Sequence, residues 1–249
     1  MASNRSPLPR TTQPPARKDE AMKLNSTLRL AVFALGALVA TAAAVAWSGG
    51  NDAVKADAHH AISSKSPRAI FHDNMRVLWE DHIAWTRLAI ISIGAGLPDA
   101  QSTTARLLQN QVDIGTAIKP YYGGPAGDQL TALLKDHIVI AADLVTVAGA
   151  GDSAAVEEAK TRWYANADDI GSFLAAANPQ HWQDAEMKSM MREHLDLTLQ
   201  EAVHYLTFDF NASVADYDRI HLQILKMADM LSDGIVAQFP GSFTANSGR

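Results

Sequence analysis

The chain has 249 residues, 47% of them apolar and none of them cysteine. That composition supports a packed core, argues against wholesale disorder, and removes disulfides, thiolate metal ligands and cysteine nucleophiles together. Seven of the 21 basic residues but only four of the 27 acidic ones lie at or before Ala58, which leaves 14 against 23 and a net charge of −9 beyond it. An acidic domain without a basic stripe is a poor partner for nucleic acid or anionic lipid and suits cations better.

Residues 1–29 read as a polar tail and n-region ending in Lys23 and Arg29, with Met22 as an alternative start. Residues 30–47 (LAVFALGALVATAAAVAW) are 18 consecutive uncharged, mostly apolar residues, the pattern of a signal peptide or an uncleaved membrane anchor. Ala44-Val45-Ala46 and Ala56-Asp57-Ala58 offer cleavage sites. The basic flank then stays inside, and the rest of the chain is expected to be periplasmic, secreted or tethered, touching membrane only through residues 30–47. Residues 48–65 are a polar linker. Cleavage after Ala58 would expose His59 as an amino-terminal Cu²⁺ chelator, against the simpler reading of His59-His60 as linker.

From about 66 to 240 the apolar periodicity is helical and strand alternation is missing. Breaks are expected at Gly94–Asp99, Pro120–Gly127, Gly149–Asp152, Asn178-Pro179 and Asn211–Ser213, with Asp99 and Asp152 as N-caps and Ser213/Asp216 as a capping box. They divide the stretch into helices over roughly 67–93, 100–119, 126–148, 153–177, 182–209 and 214–238, with 241–249 a flexible end. The fold class is all-α, a six-helix bundle.

The helices repeat as pairs. LWEDHIAWT (78–86), LLKDHIVIA (133–141) and MMREHLDLT (190–198) superimpose His82, His137 and His194, at spacings of 55 and 57. NQVDIG (110–115), NADDIG (166–171) and KMADML (226–231) superimpose Asp113, Asp169 and Asp229. The reading is three diverged copies of one antiparallel hairpin, each too small to bury its own face.

Positions three and four residues away share a helix face. Around His82 these are Leu78, Trp79, Trp85 and Thr86; around His137, Leu133, Leu134, Ile140 and Ala141; around His194, Met190, Met191, Leu197 and Thr198. All three imidazoles therefore point inward. Neutral imidazoles suit Zn²⁺, Cu²⁺, Ni²⁺ or Fe²⁺, and a three-histidine set leaves a position open for water or a small ligand. Asp113, Asp169 and Asp229 are candidate ligands or orienting partners. The competing reading is a buried, hydrogen-bonded histidine in each copy, inherited by duplication.

A second constellation is Glu201-x-x-His204 and Asp218-x-x-His221, half of a di-metal carboxylate oxidase arrangement, for which Asp143 and Glu157 are the available further acids. Arg87 is a candidate anion clamp or a partner for Asp113 or Asp169. Tyr121-Tyr122 is an aromatic loop able to face a partner. Phosphate-cradling loops, a nucleophile elbow and a zincin pair are absent from the sequence.

LWEDHIAWTRLAIISI, with LLQNQVDIG and MMREHLDLT after it, resembles a family of small exported bacterial helical proteins over most of residues 70–240. The resemblance implies the helical fold and export, and no catalytic residues. Some members carry names such as glycosyltransferase or acetylglutamate kinase; the latter needs an α/β sheet and Gly-rich loops that this sequence lacks. The expectation is thus an extracytoplasmic binding, storage or sensing protein for a transition metal or small ligand, not an enzyme. The alternatives are an interaction module for another envelope protein, and the di-metal oxidase.

Overall fold

The computed structural model describes residues 65–244. The expected leader at 30–47, both cleavage options, His59-His60 and residues 245–249 lie outside the described residues. Within them the fold is all-α: α1 (Pro67–Gly94), α2 (Ala100–Tyr122), α3 (Gly124–Ala150), α4 (Ser153–Ala177), α5 (Asp184–Leu206), α6 (Phe210–Gln238) and a 3-10 turn, Pro240–Phe243. No helix among them is long and apolar enough to cross a membrane.

Local chemistry sets the helix ends. The Ser66 hydroxyl accepts from Ala69 N at 3.2 Å with Pro67 at the first helical position, and Asp152 accepts from Ala155 N at 3.1 Å. Gly151 closes α3 in the left-handed conformation, φ 76°. Three expectations are corrected. The break after α2 is a single residue, Gly123 at φ 85°, because Pro120 falls in the last turn, where its lost N–H donation and ring are absorbed and the helix runs on to Tyr122. The start of α6 is capped by Asp209, which accepts from Ala212 N at 3.1 Å; Ser213 and Asp216 are consequently inside the helix, both buried. Asp99 precedes α2 without a side-chain cap.

Each helix packs on the one before and the one after it, and α6 returns to pack on α1. Short connections make consecutive helices antiparallel. The odd-numbered helices α1, α3 and α5 also touch one another, so they line the axis. One continuous apolar core, including Trp79, Trp163, Met187, Leu195 and Ile224, spans all six helices.

The α2–α3 contact is the tightest. A Cβ on Gly115 would lie 2.6 Å from the Gly127 carbonyl oxygen, and one on Gly127 would lie 2.5 Å from that of Gly115. Two backbones touch there, so neither helix can yield by rotating a side chain. Gly149, by contrast, faces open space. Gly115→Ala is therefore expected to destabilise the bundle by about 1–3 kcal/mol through overpacking, whereas Gly149→Ala is expected to be neutral or to stabilise by about 0.5 kcal/mol through helix propensity. Urea denaturation of both variants checks the contrast.

Candidate functional site: a layer of buried imidazoles

His82, His137 and His194 stand at the middle of α1, α3 and α5, the three axial helices, and each is only 3% exposed. The rings of His82 and His194 lie 5.6 Å apart, centre to centre. Trp163 packs on His137 at 5.3 Å, and Trp79 meets His82 edge-on at 5.7 Å.

The next helix supplies a side-chain amide to each ring, always 29 residues later. Nδ1 of His137 donates to Oδ1 of Asn166 at 2.8 Å, and Nδ1 of His194 donates to Oε1 of Gln223 at 3.2 Å. Both amides use their nitrogens on a backbone carbonyl one turn before the histidine: Asn166 on Leu133 at 3.1 Å, Gln223 on Met190 at 3.2 Å. One amide thus joins two helices at a set height. In the first pair the task is divided. Asn110 donates to the Leu78 carbonyl at 3.0 Å, and Gln111 Nε2 lies 3.3 Å from Nδ1 of His82. Gln111 Nε2 also reaches the Leu107 carbonyl and Asn110 Oδ1, at 2.9 and 3.1 Å. With Gln111 oriented so, Nδ1 of His82 accepts and its proton sits on Nε2, opposite to the other two.

Among the described residues, Nε2 of none of the three rings has a protein hydrogen-bond partner. Three fully buried polar atoms beside them are unpartnered: Nε1 of Trp79, Nε1 of Trp163 and Oε1 of Gln111. Unsatisfied buried polar atoms are uncommon, and three of the seven among the described residues fall beside this layer.

Burial keeps the layer uncharged. It lowers His137 and His194 from 6.5 to about 4; the His194 ring adds to the effect on His137, while the bonds to Asn166 and Gln223 oppose it. Burial, then His194 and His137, depress His82 well below its usual value. At neutral pH all three are neutral imidazoles. As they stand, no group of three or more His, Asp or Glu among the described residues is close enough to hold a metal ion.

The repeated aspartates lie elsewhere. Asp113 accepts from Gln109 at 3.0 Å and sits near Arg106, Asp169 is exposed, and Asp229 takes a two-pronged bond from Arg76 at 2.7 and 2.5 Å. None touches His82, His137 or His194; Asp229 instead lies 3.9 Å from Nδ1 of His72. A carboxylate keeps its charge more cheaply in water or beside arginine than in this layer, whose partners are amides. Counted from the histidine, Asp169 is matched on α6 by Lys226, three positions before Asp229.

The second constellation does not assemble. Glu201 is 2% exposed and paired with Arg87; His204 Nδ1 bonds Asp216, not Asp218, at 2.5 Å; His221 Nε2 reaches Glu80 at 2.9 Å; Asp218 is exposed. The further acids are also committed, Asp143 to Arg162 at 2.6 Å and Glu157 to Lys160 at 3.4 Å. Arg87 is a clamp, but for Glu201 and the Ser213 carbonyl at 3.3 Å, with Tyr217 beneath its guanidinium. Burial raises Glu201 to about 7 although Arg87 pulls it down.

The amides were the residues sequence reasoning passed over, although Asn110, Gln111 and Asn166 lie in the very stretches aligned for their aspartates. No protein-family model, curated protein sequence or solved structure matches the chain.

Two outcomes follow. Histidines lowered from 6.5 to about 4 contribute stability that is intact above pH 6.5 and lost as the pH falls through about 4, roughly 3 kcal/mol per ring. Glu201, raised from 4.5 to about 7, acts oppositely and favours folding below pH 4.5, but one carboxyl is outnumbered by the rings. The thermal midpoint is expected to fall from pH 7 to pH 4.5, and His137→Gln to flatten the fall, as read by circular dichroism. Arg87→Ala leaves Glu201 buried without its cation and is expected to cost about 3 kcal/mol, more at pH 8 than at pH 5, where the carboxyl protonates; denaturation at the two pH values measures this.

Proposed function

We propose that the protein binds a transition-metal ion in the layer of His82, His137 and His194, in a binding, storage or sensing role outside the cytoplasm. The supporting observation is one device used on three axial helices: an imidazole whose Nδ1 is engaged by an amide from the next helix, with Nε2 left unpartnered. An Nδ1–H held by a carbonyl oxygen is the arrangement that orients a metal-ligating histidine and presents the Nε2 lone pair. His137 and His194 have it already. His82 is the exception: the Gln111 Nε2 that faces its Nδ1 is held by the Leu107 carbonyl and Asn110 Oδ1, so His82 must move its proton from Nε2 to present that nitrogen to a metal. Two imidazoles on one ion, at about 2.0–2.1 Å per bond, put their ring centres roughly 5–5.5 Å apart; the His82–His194 pair stands at 5.6 Å. His137 is the ligand that must move inward.

Nitrogen ligands without thiolate suit Zn²⁺, Cu²⁺, Ni²⁺ or Fe²⁺. The equal separation of 29 between each histidine and its amide favours descent of the three helix pairs from one hairpin. With the export pattern of residues 30–47, this is a metal-handling protein of the cell envelope.

A second reading, an interaction module for an envelope protein, is favoured by the α5–α6 turn. Phe208 is 79% exposed and held at φ 65°, beside Phe210 at 51%. That conformation is uncommon for an aromatic residue and presents the ring to solvent. Tyr121 and Tyr122, the expected contact surface, instead pack on Phe239.

Titration of the purified full chain with Zn²⁺, Cu²⁺ and Ni²⁺ decides between them. Binding is expected to weaken at least tenfold in His137→Ala. It is also expected to change little between pH 7 and pH 5, because rings that titrate near 4 stay neutral; exposed histidines would lose affinity across that range. Unchanged affinity in His137→Ala removes the metal reading.

A further inference from the structure

One turn beyond the imidazoles, toward the C-terminal ends of α1, α3 and α5, a cavity of about 90 Å³ opens along the axis. Ile90, Leu107, Ile138, Val145, Ala202 and Leu206 form most of its wall. The threonines in the wall are not polar toward it. Thr86 donates to the His82 carbonyl at 2.7 Å, Thr198 to the His194 carbonyl at 2.8 Å, and Thr104 to the Ala100 carbonyl at 2.8 Å. Each hydroxyl donates to its own helix, and the one unpartnered N–H among the lining residues is the indole Nε1 of Trp163; a single donor in an otherwise apolar wall falls short of the two to four polar partners that hold a buried water. The cavity is not sealed: the wall runs out to half-buried Ala148 and Val156 beside the α3–α4 turn and to Val203, 47% exposed.

We propose that this cavity is a binding site for the end of a short, neutral alkyl chain. Its volume is smaller than the roughly 150 Å³ engineered cavity that takes benzene, so a linear chain end fits better than a ring. The wall holds no cation, and its one free N–H, on Trp163, is too little to offset the burial of a carboxylate; the acidic balance of the domain disfavours one at the mouth. The polar end of the ligand stays at the opening while the methyl end points down the axis toward the imidazole layer. Burying three or four methylenes there displaces no ordered water and needs no rearrangement of the helices.

The test uses the purified full chain with 1-butanol, 1-hexanol and xenon as probes. Heteronuclear NMR is expected to show saturable shifts confined to the lining residues of α1, α3 and α5 beyond the histidines and to their neighbours Thr104, Leu107, Val156 and Trp163, tighter for hexanol than for butanol. Ala202→Leu and Ala148→Leu fill the cavity from its wall and from its mouth. Each is expected to weaken hexanol at least tenfold while retaining the helical circular dichroism; if one fails to fold, the other decides. Absence of saturable binding of all three probes to the unmodified protein overturns the proposal, as does undiminished hexanol affinity in the folded variants. The inference stands apart from the metal reading, since neither hexanol binding nor its loss depends on Zn²⁺ titration.

Discussion

The structure turns on one constraint: three imidazoles are buried at mid-height in an otherwise apolar core, and each must be neutral and hydrogen-bonded there. For His137 and His194 a single amide side chain from the next helix meets that need and also takes the backbone carbonyl one turn before the histidine; for His82 Gln111 and Asn110 divide the two tasks. The bond pair fixes the height at which consecutive helices lie against each other. Apolar packing alone tolerates sliding by a turn, because one isoleucine resembles the next; an amide that must find both a ring nitrogen and a carbonyl does not. The His137–Asn166 and His194–Gln223 links therefore pin register, while the surrounding isoleucines, leucines and tryptophans supply the driving force for collapse.

The same layer partitions the axis. Toward the N-terminal halves of the axial helices Met75, Trp79, Leu134 and Met191 close the core to a void of only about 20 Å³. Beyond the imidazoles it loosens into the larger cavity, lined with isoleucine, leucine, alanine, valine and threonine side chains. At that end the charged network of Arg87, Glu201, Asp216 and His204 ties α1, α5 and α6 together. Charge is thus admitted into the bundle only beside compensating charge, and the central layer is kept neutral by burial.

Helix existence, helix count and the inward direction of His82, His137 and His194 were legible because they depend on local periodicity, which 3.6-residue spacing projects directly onto a face. The Asp152 cap was legible for the same local reason. Ser213 and Asp216 were misread because capping competes over a few residues: Asp209 took the cap, and the two downstream residues were drawn into the core beside Arg87 and His204. The aspartate alignment misled because Asp113, Asp169 and Asp229 are similar letters on outward faces, where water and arginine accept a carboxylate at many positions.

The sequence by itself determined an all-helical chain in which His82, His137 and His194 lie on apolar stripes, since burial pattern is written one turn at a time. Only the tertiary structure decided who meets those histidines. That Gln111, Asn166 and Gln223 face the rings, that Glu201 pairs with Arg87 across 114 residues, and that a void remains above the imidazoles are consequences of how six helices close on one another. Such contacts depend on interhelical distance and rotation, and no single helix carries that information in its own spacing.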